Sequence, residues 1–254
     1  MLGSVRSCRV AILIKAIPRA SKKYGETVCC AGATDSGEWR RLYPVRFRQL
    51  AGEGQFSRWD IVSFNYRRPR DDVRYESCHV FEDTILVEGE VPPNRRAEFL
   101  DRLLVGSARI AASKRQSLAL IRPKNVRFIF KKKKPAAIDA EKALFVKAGR
   151  QTSFLDADLE ALDPVPYAFA FRFEDDDGQH TYQCGDWETQ ATFWKWKRTY
   201  GEQRALQDLS ARYNDEYPKK GLAFALGNVL KRPHTWQLLG VIRADDKFQT
   251  SFSF

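Results

Sequence analysis

Short apolar segments separated by turn residues dominate the N-terminal third of this 254-residue chain. Apolar and polar side chains nearly alternate along Asp60–Tyr66, as in a strand with one buried face. Further segments of strand length are Cys8–Ile14, Thr27–Ala31, Trp39–Tyr43, Tyr75–Phe81 and Thr84–Val87. Strands that recur about every ten residues with turns between them predict a small barrel or sandwich rather than parallel α/β units.

Two prolines, Pro92 and Pro93, interrupt this strand pattern and introduce a helical one. Asn94 is a suitable N-cap, and apolar residues recur at helical spacing from Phe99 to Leu104. We expect a helix that ends near residue 105. It would lie in a helical connector of residues 92–116, between an N-terminal barrel of residues 1–91 and a second β unit of residues 117–254.

The second unit begins with strand patterns at Ser117–Ile121 and Val126–Phe130. Its clearest strand is Tyr167–Phe173, where aromatic residues occupy one face and Ala168, Ala170 and Arg172 the other. The other expected elements are a short helix at Ala140–Lys147, a hairpin strand at His180–Cys184, a helical insertion at 186–216 that Asp186 caps and Gly201 divides into two helices, and strands at Leu222–Leu226 and Thr235–Ile242. Together these patterns predict a mainly β, α+β protein.

Charge is distributed unevenly along the chain. Residues 1–150 hold 31 Lys and Arg against 16 Asp and Glu, a net of +15, and residues 151–254 hold 12 against 16, a net of −4. Many of the cations lie beside aromatic rings, as in Trp39–Arg48 and Tyr66–Arg70. Cations next to flat rings suit a polyanion that also carries stackable bases, so this pattern favours nucleic acid as the partner.

The candidate nucleic-acid-binding residues fall into four basic segments. They are Trp39, Arg40, Arg41, Tyr43 and Arg46; Tyr66, Arg67, Arg68 and Arg70; Lys131, Lys132, Lys133 and Lys134; and Lys231, Arg232, His234 and Trp236. Each segment has a simpler interpretation. Trp39 and Tyr43 could belong to the core, with Arg41 held by a carboxylate such as Glu76. The lysine run could be a solvated loop, and the loop at residues 227–234 a plain connector.

Catalytic motifs are absent from the sequence. No nucleotide-binding glycine motif follows a strand, no serine lies in GxSxG, and the acidic run Glu174–Asp177 has the composition of a turn. The five cysteines form no CxxC. Two loose groups of metal-ligating residues remain, Cys78-His79 with Cys29 and His180 with Cys184. Structural zinc sites usually have their ligands in close local pairs, so buried free thiols are the better interpretation. We therefore predict no catalytic residue, metal or cofactor, and a cytoplasmic protein without a membrane span.

Several strings of residues resemble a group of uncharacterised bacterial proteins described as dual OB-containing domain proteins. The strings are Gly37–Pro44, Asp71–Glu76, Asp186–Glu188, Gly227-Asn228 and Arg232–Gly240, and the likeness spans roughly residues 8–243. The resemblance implies two OB-like barrels joined by the helical connector, the second decorated by two helices. It implies no particular reaction. An accessory or sensor subunit of a bacterial nucleic-acid-handling or defence system, with a possible protein partner, is the role that it favours.

Two other functions stay open at this point. A metal-dependent nuclease, or another enzyme that modifies nucleic acid, could assemble its carboxylates only in the fold. A protein-interaction subunit could instead use the basic half to dock an acidic partner. The sequence does not distinguish RNA from DNA, or single strands from duplexes.

Overall fold

The computed structural model describes residues 4–17, 19–21, 25–45, 55–152 and 163–245. The strands are β1 (Arg6–Lys15), β2 (Arg19–Ser21), β3 (Gly25–Ala33), β4 (Trp39–Val45), β5 (Asp60–Arg67), β6 (Ser77–Val80), β7 (Leu86–Glu90), β8 (Leu118–Ile121), β9 (Lys124–Lys132), β10 (Tyr167–Asp175), β11 (Gly178–Gln183), β12 (Leu222–Val229) and β13 (Arg232–Arg243). The helices are α1 (Arg96–Asp101), α2 (Ala108–Ser113), α3 (Pro135–Thr152), α4 (Trp187–Tyr200), α5 (Glu202–Ala211) and α6 (Tyr217–Lys219), with a π-helix at Arg212–Glu216. The chain is mainly β, as predicted.

Five N-terminal strands close into a barrel. Their order is β1-β3-β4-β6-β5, and β5 pairs back with β1, which completes the ring. β5 illustrates the local cause, because Val62, Phe64 and Tyr66 alternate with more polar residues and are buried inside the barrel. β7 pairs with β5 and β2 with β3 outside the ring. The structure thus confirms a small OB-like barrel and excludes the sandwich alternative.

The second unit is built from two antiparallel three-stranded sheets. One has the order β9-β10-β11 and the other β8-β12-β13, and a bridge between Cys184 and Leu238 joins them. Along β10, Phe169, Phe171 and Phe173 all face one way and are buried, as the alternation predicts. This aromatic face packs against α4 and α5, so the helical insertion covers the core of the second unit.

The connector between the two units differs from the predicted single helix. Asn94 lies inside a 3₁₀ turn at Pro93–Arg95, and α1 ends at Asp101. A further helix, α2, follows, and the hydroxyl of its N-cap Ser107 accepts a hydrogen bond from the Ile110 amide. Leu103 is buried beyond the end of α1, so its apolar character reflects tertiary packing rather than helix periodicity.

The two units share one apolar core, which we call the seam core. It combines residues of the barrel with Leu118 and Leu120 of β8 and with Ala223 and Ala225 of β12. The alternate β12 residues, including Phe224, face the aromatic core of the second unit instead. Small side chains on one face and large ones on the other therefore bury β12 on both sides and fix the barrel against the second unit.

Candidate functional site

The first basic segment does not form an open surface. Trp39 is 2% exposed and lies in the seam core, and Tyr66 is 8% exposed inside the barrel. Arg40 is half-buried and its guanidinium binds Glu38 at 2.8 Å. Tyr43 is the exception, with 40% of its surface exposed. Neither Trp39 nor Tyr66 offers a ring on which a base could stack, which corrects the sequence prediction for both residues.

Arg41 is also buried, at 3% exposure, and it connects the barrel to the second unit. Its Nε donates to Ser117 Oγ at 3.0 Å and its Nη2 to the Ser117 carbonyl at 2.6 Å. The buried Glu76 carboxylate accepts from the Ser117 amide at 2.7 Å and from Ser117 Oγ at 2.9 Å. Arg41 and Glu76 thus act through the same serine, and Arg41 is a structural residue rather than a phosphate ligand. Burial lowers the pKa of Arg41 from its ordinary value.

Other cations of the N-terminal region follow the same pattern and bind partners in the second unit. The contacts are Lys15 to Glu188 at 2.6 Å, Arg58 to Asp186 at 2.6 Å and to the Val241 carbonyl at 2.7 Å, Arg74 to the Asn228 carbonyl at 3.2 Å, and Arg96 to Asp245 at 2.6 Å. Part of the basic excess of residues 1–150 therefore neutralises or binds groups of residues 151–254. Nothing in the local sequence signals these long-range pairs.

Asp186 lies at a helix N-cap position but binds a residue of the N-terminal region across the boundary between the two units. The sequence predicts it as the N-cap of α4, and it does occupy that position, but its side chain makes no capping hydrogen bond. Instead the carboxylate binds Arg58 and accepts from Thr189 Oγ1 at 3.2 Å. Burial raises the pKa of Asp186, and the positive charge of Arg58 opposes that rise. The cap position thus supplies an ionic contact between the two units.

Two of the predicted basic segments come together across the seam. The Arg68 guanidinium donates to the Arg74 carbonyl at 3.4 Å, and the Arg74 guanidinium donates to the Asn228 carbonyl at 3.2 Å. Asn228 in turn donates from Nδ2 to the Pro233 carbonyl at 3.2 Å. This chain of contacts places the loop after β5 beside the β12–β13 turn. We call the combined patch the seam surface; its residues are Arg67, Arg68, Arg70, Lys231, Arg232 and His234.

The β12–β13 connection is tighter than the sequence suggests. The predicted loop at residues 227–234 is in fact a two-residue turn, Leu230-Lys231, because β12 runs on to Val229 and β13 begins at Arg232. Lys231, Arg232 and His234 are all exposed on this turn and the start of β13. Trp236 is only half-exposed and packs against the aromatic core, so it lies at the base of the hairpin.

Arg74 is held in place by its own carboxylate. Its Nη2 binds Asp72 at 2.6 Å, and Ser77 Oγ donates to the same Asp72 oxygen at 2.7 Å. Burial alone would raise the pKa of Asp72, but these hydrogen bonds outweigh it and hold the pKa below its usual range. The ion pair therefore keeps Arg74 aimed at the hairpin and stabilises the seam surface.

The lysine run lies elsewhere, and only Lys133 and Lys134 form a loop, the short link between β9 and α3. Lys131 and Lys132 are the last residues of β9, and Pro135 begins α3, which extends well beyond the predicted short helix at Ala140–Lys147. Lys133 binds Glu141 at 2.6 Å, whereas Lys131, Lys132 and Lys134 are exposed. Arg46, the remaining candidate, lies outside the described residues.

The sheet β9-β10-β11 carries two cations that the site prediction omitted. Arg127 of β9 and Arg172 of β10 are exposed and lie directly opposite each other. Strand alternation assigns Arg172 to the face of Ala168 and Ala170, so the sequence predicts its face. The position of Arg127 opposite it depends on the register between β9 and β10, which the sequence does not show.

Neither a cluster of metal-ligating side chains nor a lowered thiol pKa is found at the described residues discussed below. Within the described part of the chain, no three His, Cys, Asp or Glu residues converge in a way that could hold a metal ion. Burial raises the pKa of Cys78 and of Cys184 to about 12, so both thiols stay protonated near neutral pH. Among the described helices, none combines the length and apolar character that crossing a bilayer requires.

Comparison with known families divides the chain at the connector. Residues 6–103 match the family described as Domain of unknown function (DUF8758), and residues 103–253 match Domain of unknown function (DUF8757). The second match covers more than half of the chain, so the chain belongs to the DUF8757 family. A search of curated proteins finds no match. The first region corresponds to the barrel and the second to the two-sheet unit.

Proposed function

We propose that this protein binds nucleic acid through the seam surface. The supporting observation is the chain of contacts from Arg68 through Arg74 to Asn228, which brings the basic loop after β5 to the basic β12–β13 hairpin. Exposed Lys and Arg side chains in a cluster neutralise phosphates and release counterions, and that electrostatic contribution dominates non-specific binding. Tyr43 and Trp236 are the predicted ring residues that retain some exposure for base contacts.

The finer architecture belongs to the same proposal. We take the second unit as an opened OB-like barrel, in which the sheets β9-β10-β11 and β8-β12-β13 meet at Cys184 and Leu238. OB-like units commonly bind strands of nucleotides, which agrees with a paired arrangement of two such units. The role of an accessory or sensor subunit in a bacterial nucleic-acid-handling or defence system rests on the resemblance to dual OB-containing domain proteins.

Fluorescence anisotropy with labelled 20-nucleotide RNA and DNA, single-stranded and duplex, tests the proposal over a range of salt concentrations. We expect log K to fall linearly with log salt, with a slope of about −0.7 per phosphate contact for single strands. The variant Lys231→Glu/Arg232→Glu should weaken binding by about tenfold or more, because it places two acidic groups where phosphates would lie.

Lys195→Glu/Arg198→Glu on α4 is the matched control, since it changes the net charge equally at two exposed cations away from the seam surface. Equal losses in both variants would show that only net charge matters and would contradict an interface at the seam surface. Absence of binding even at low salt would favour the acidic-protein partner. Cleavage of the strands that needs Mg²⁺ or Mn²⁺ and stops with EDTA would favour the nuclease.

A further inference from the structure

The pairing of Arg127 with Arg172 has no explanation within the fold. Their backbones lie directly opposite each other on β9 and β10, and both side chains are exposed. Neither forms an ion pair with a carboxylate among the residues that the structure describes. Like charges directly opposite on one sheet face destabilise the sheet. Two arginines in this arrangement therefore favour an anion that lies between them.

The surrounding sheet face is suited to a chain rather than to a single ion. Beyond the arginine pair, Ile129 lies opposite Ala170 and Lys131 opposite Ala168, so uncharged side chains separate Arg127 from Lys131 on this face. Alternate residues on a strand are about 7 Å apart, which places Lys131 about 14 Å from Arg127 along β9. Cations at both ends of this uncharged stretch match an extended polyanion with regularly spaced charges.

A cleft runs along the free edge of β9, next to the same cations. It has a volume of about 670 Å³ and lies between β9 and the π-helix, and its lining includes Arg127, Ile129, Phe130, Asn214 and the carboxylate-bearing Asp215. Asn214 Oδ1 accepts from the Phe128 amide at 2.7 Å, which holds the π-helix at this edge. The Phe130 ring is 43% exposed and lies on the other face of the sheet from Arg127, opposite Phe169, where it borders the cleft.

We propose that a single strand of nucleic acid follows the free edge of β9, with its phosphates on Arg127, Arg172 and Lys131 on one face of the sheet and one base turned over the edge to stack on Phe130 on the other face. This inference rests on the proposed function and specifies the ligand as single-stranded. An unpaired base can turn into the cleft and stack on the ring. A duplex keeps its bases paired and stacked inside, so it can offer only phosphates to this face.

Two variants separate the phosphate and base contacts. Phe130→Leu keeps an apolar side chain but removes the ring, and we expect it to weaken binding of 20-nucleotide oligo(dT) about tenfold, a typical loss for one stacked base. Duplex DNA of the same length should bind this variant within about twofold of the original protein. The double variant Arg127→Thr/Arg172→Thr should weaken oligo(dT) binding and flatten its salt dependence by about 0.7 per lost contact.

Thermal unfolding gives a readout that a structural role would not produce. Removing two like charges that face each other should raise the melting temperature of Arg127→Thr/Arg172→Thr, even as its affinity falls. Lys195→Thr/Arg198→Thr removes the same charge from α4 and is the control for both measurements; it should bind oligo(dT) with near-normal affinity. A lower melting temperature for the β9–β10 variant would mean that the arginines stabilise the sheet, which would overturn the proposal.

The outcomes also distinguish this inference from the function on which it rests. If Lys231→Glu/Arg232→Glu weakens binding while Phe130→Leu and Arg127→Thr/Arg172→Thr bind oligo(dT) normally, the seam surface stands and the β9 face is refuted. If the original protein binds no nucleic acid at low salt, both fail together. A loss for oligo(dT) without a loss for duplex DNA in Phe130→Leu supports the inference.

Discussion

The N-terminal barrel and the second unit use their cations in different ways. Buried or half-buried cations of the barrel and its connector, such as Arg41, Arg58 and Arg96, bind serine, aspartate and backbone groups of the second unit. In the second unit, Arg127, Arg172 and Lys131 lie on an exposed sheet face instead. Arg127 and Lys131 belong, like the barrel, to the basic residues 1–150, so the uneven charge along the chain does not separate the bound cations from the open ones.

Contacts between the two units explain part of the uneven charge along the chain. A basic first half and an acidic second half suggest a polyanion partner when they are considered as sequence alone. In the fold, acidic residues of the second half, including Asp186, Glu188 and Asp245, are partners of the first. Part of the asymmetry thus reflects complementarity between two units of one chain, and only the remainder is available for a ligand.

Breaking the most buried of these ion pairs should have the largest effect on stability. Asp186→Ala leaves Arg58 without its carboxylate in a site where the two side chains are 1% and 12% exposed. Loss of one member of a buried pair costs about 3–5 kcal/mol because the other charge remains buried. Urea unfolding followed by tryptophan fluorescence measures this change in the free energy of unfolding. A loss below about 1 kcal/mol would show that the seam tolerates an unpaired Arg58.

Glu76→Gln should have a smaller effect at the same seam. Ser117 donates to both carboxylate oxygens of Glu76, one bond from its amide and one from its hydroxyl. The substitution turns one of these acceptors into an amide donor, so one of the two contacts is lost. One unsatisfied buried contact costs about 1–3 kcal/mol in the free energy of unfolding. Glu88→Gln is the matched control, because Glu88 pairs with Arg9 on the exposed side of the barrel. Equal losses for the two variants would contradict a special role for the seam.

The Asp72–Arg74 pair sharpens the comparison through pH. The pKa of Asp72 is lower in the folded protein than in the unfolded chain, where it is about 3.9. The ionised carboxylate therefore stabilises the fold fully above the unfolded pKa. This stabilisation is lost as the pH falls through the folded pKa. Asp72→Asn should therefore be less stable than the original protein by a constant amount between about pH 5 and 7. The difference should shrink below about pH 4, as urea unfolding at several pH values would reveal. A difference that persists unchanged at low pH would exclude the charge as its source.

The strands could be predicted because their evidence is local. Alternation along β5 and β10 gives the buried face of each strand directly, and φ of +85° at Gly201 agrees with its predicted place at the end of α4. The turn after β12 lies later than the sequence predicts, because Gly227 and Asn228 resemble turn residues but continue the strand. There, pairing with β13 overrides local preference.

The candidate site was harder to predict for the same physical reason. Arg58 and Asp186 are 128 positions apart, and no local pattern marks either as a partner of the other. Trp39 and Arg41 looked available because a ring next to a guanidinium has the same sequence pattern whether it faces solvent or a neighbouring unit. Arg172 was placed on the correct face by alternation, but its opposition to Arg127 depends on strand register.

The double burial of β12 makes the two family regions mutually dependent. A protein cut at residue 103 would leave Ala223 and Ala225 facing water on one fragment and the matching barrel surface uncovered on the other. Fragments produced separately would have to recombine or aggregate. Exchange of either region for an unrelated domain would have to recreate that alanine-lined contact, so the two families are suited to inheritance as a pair.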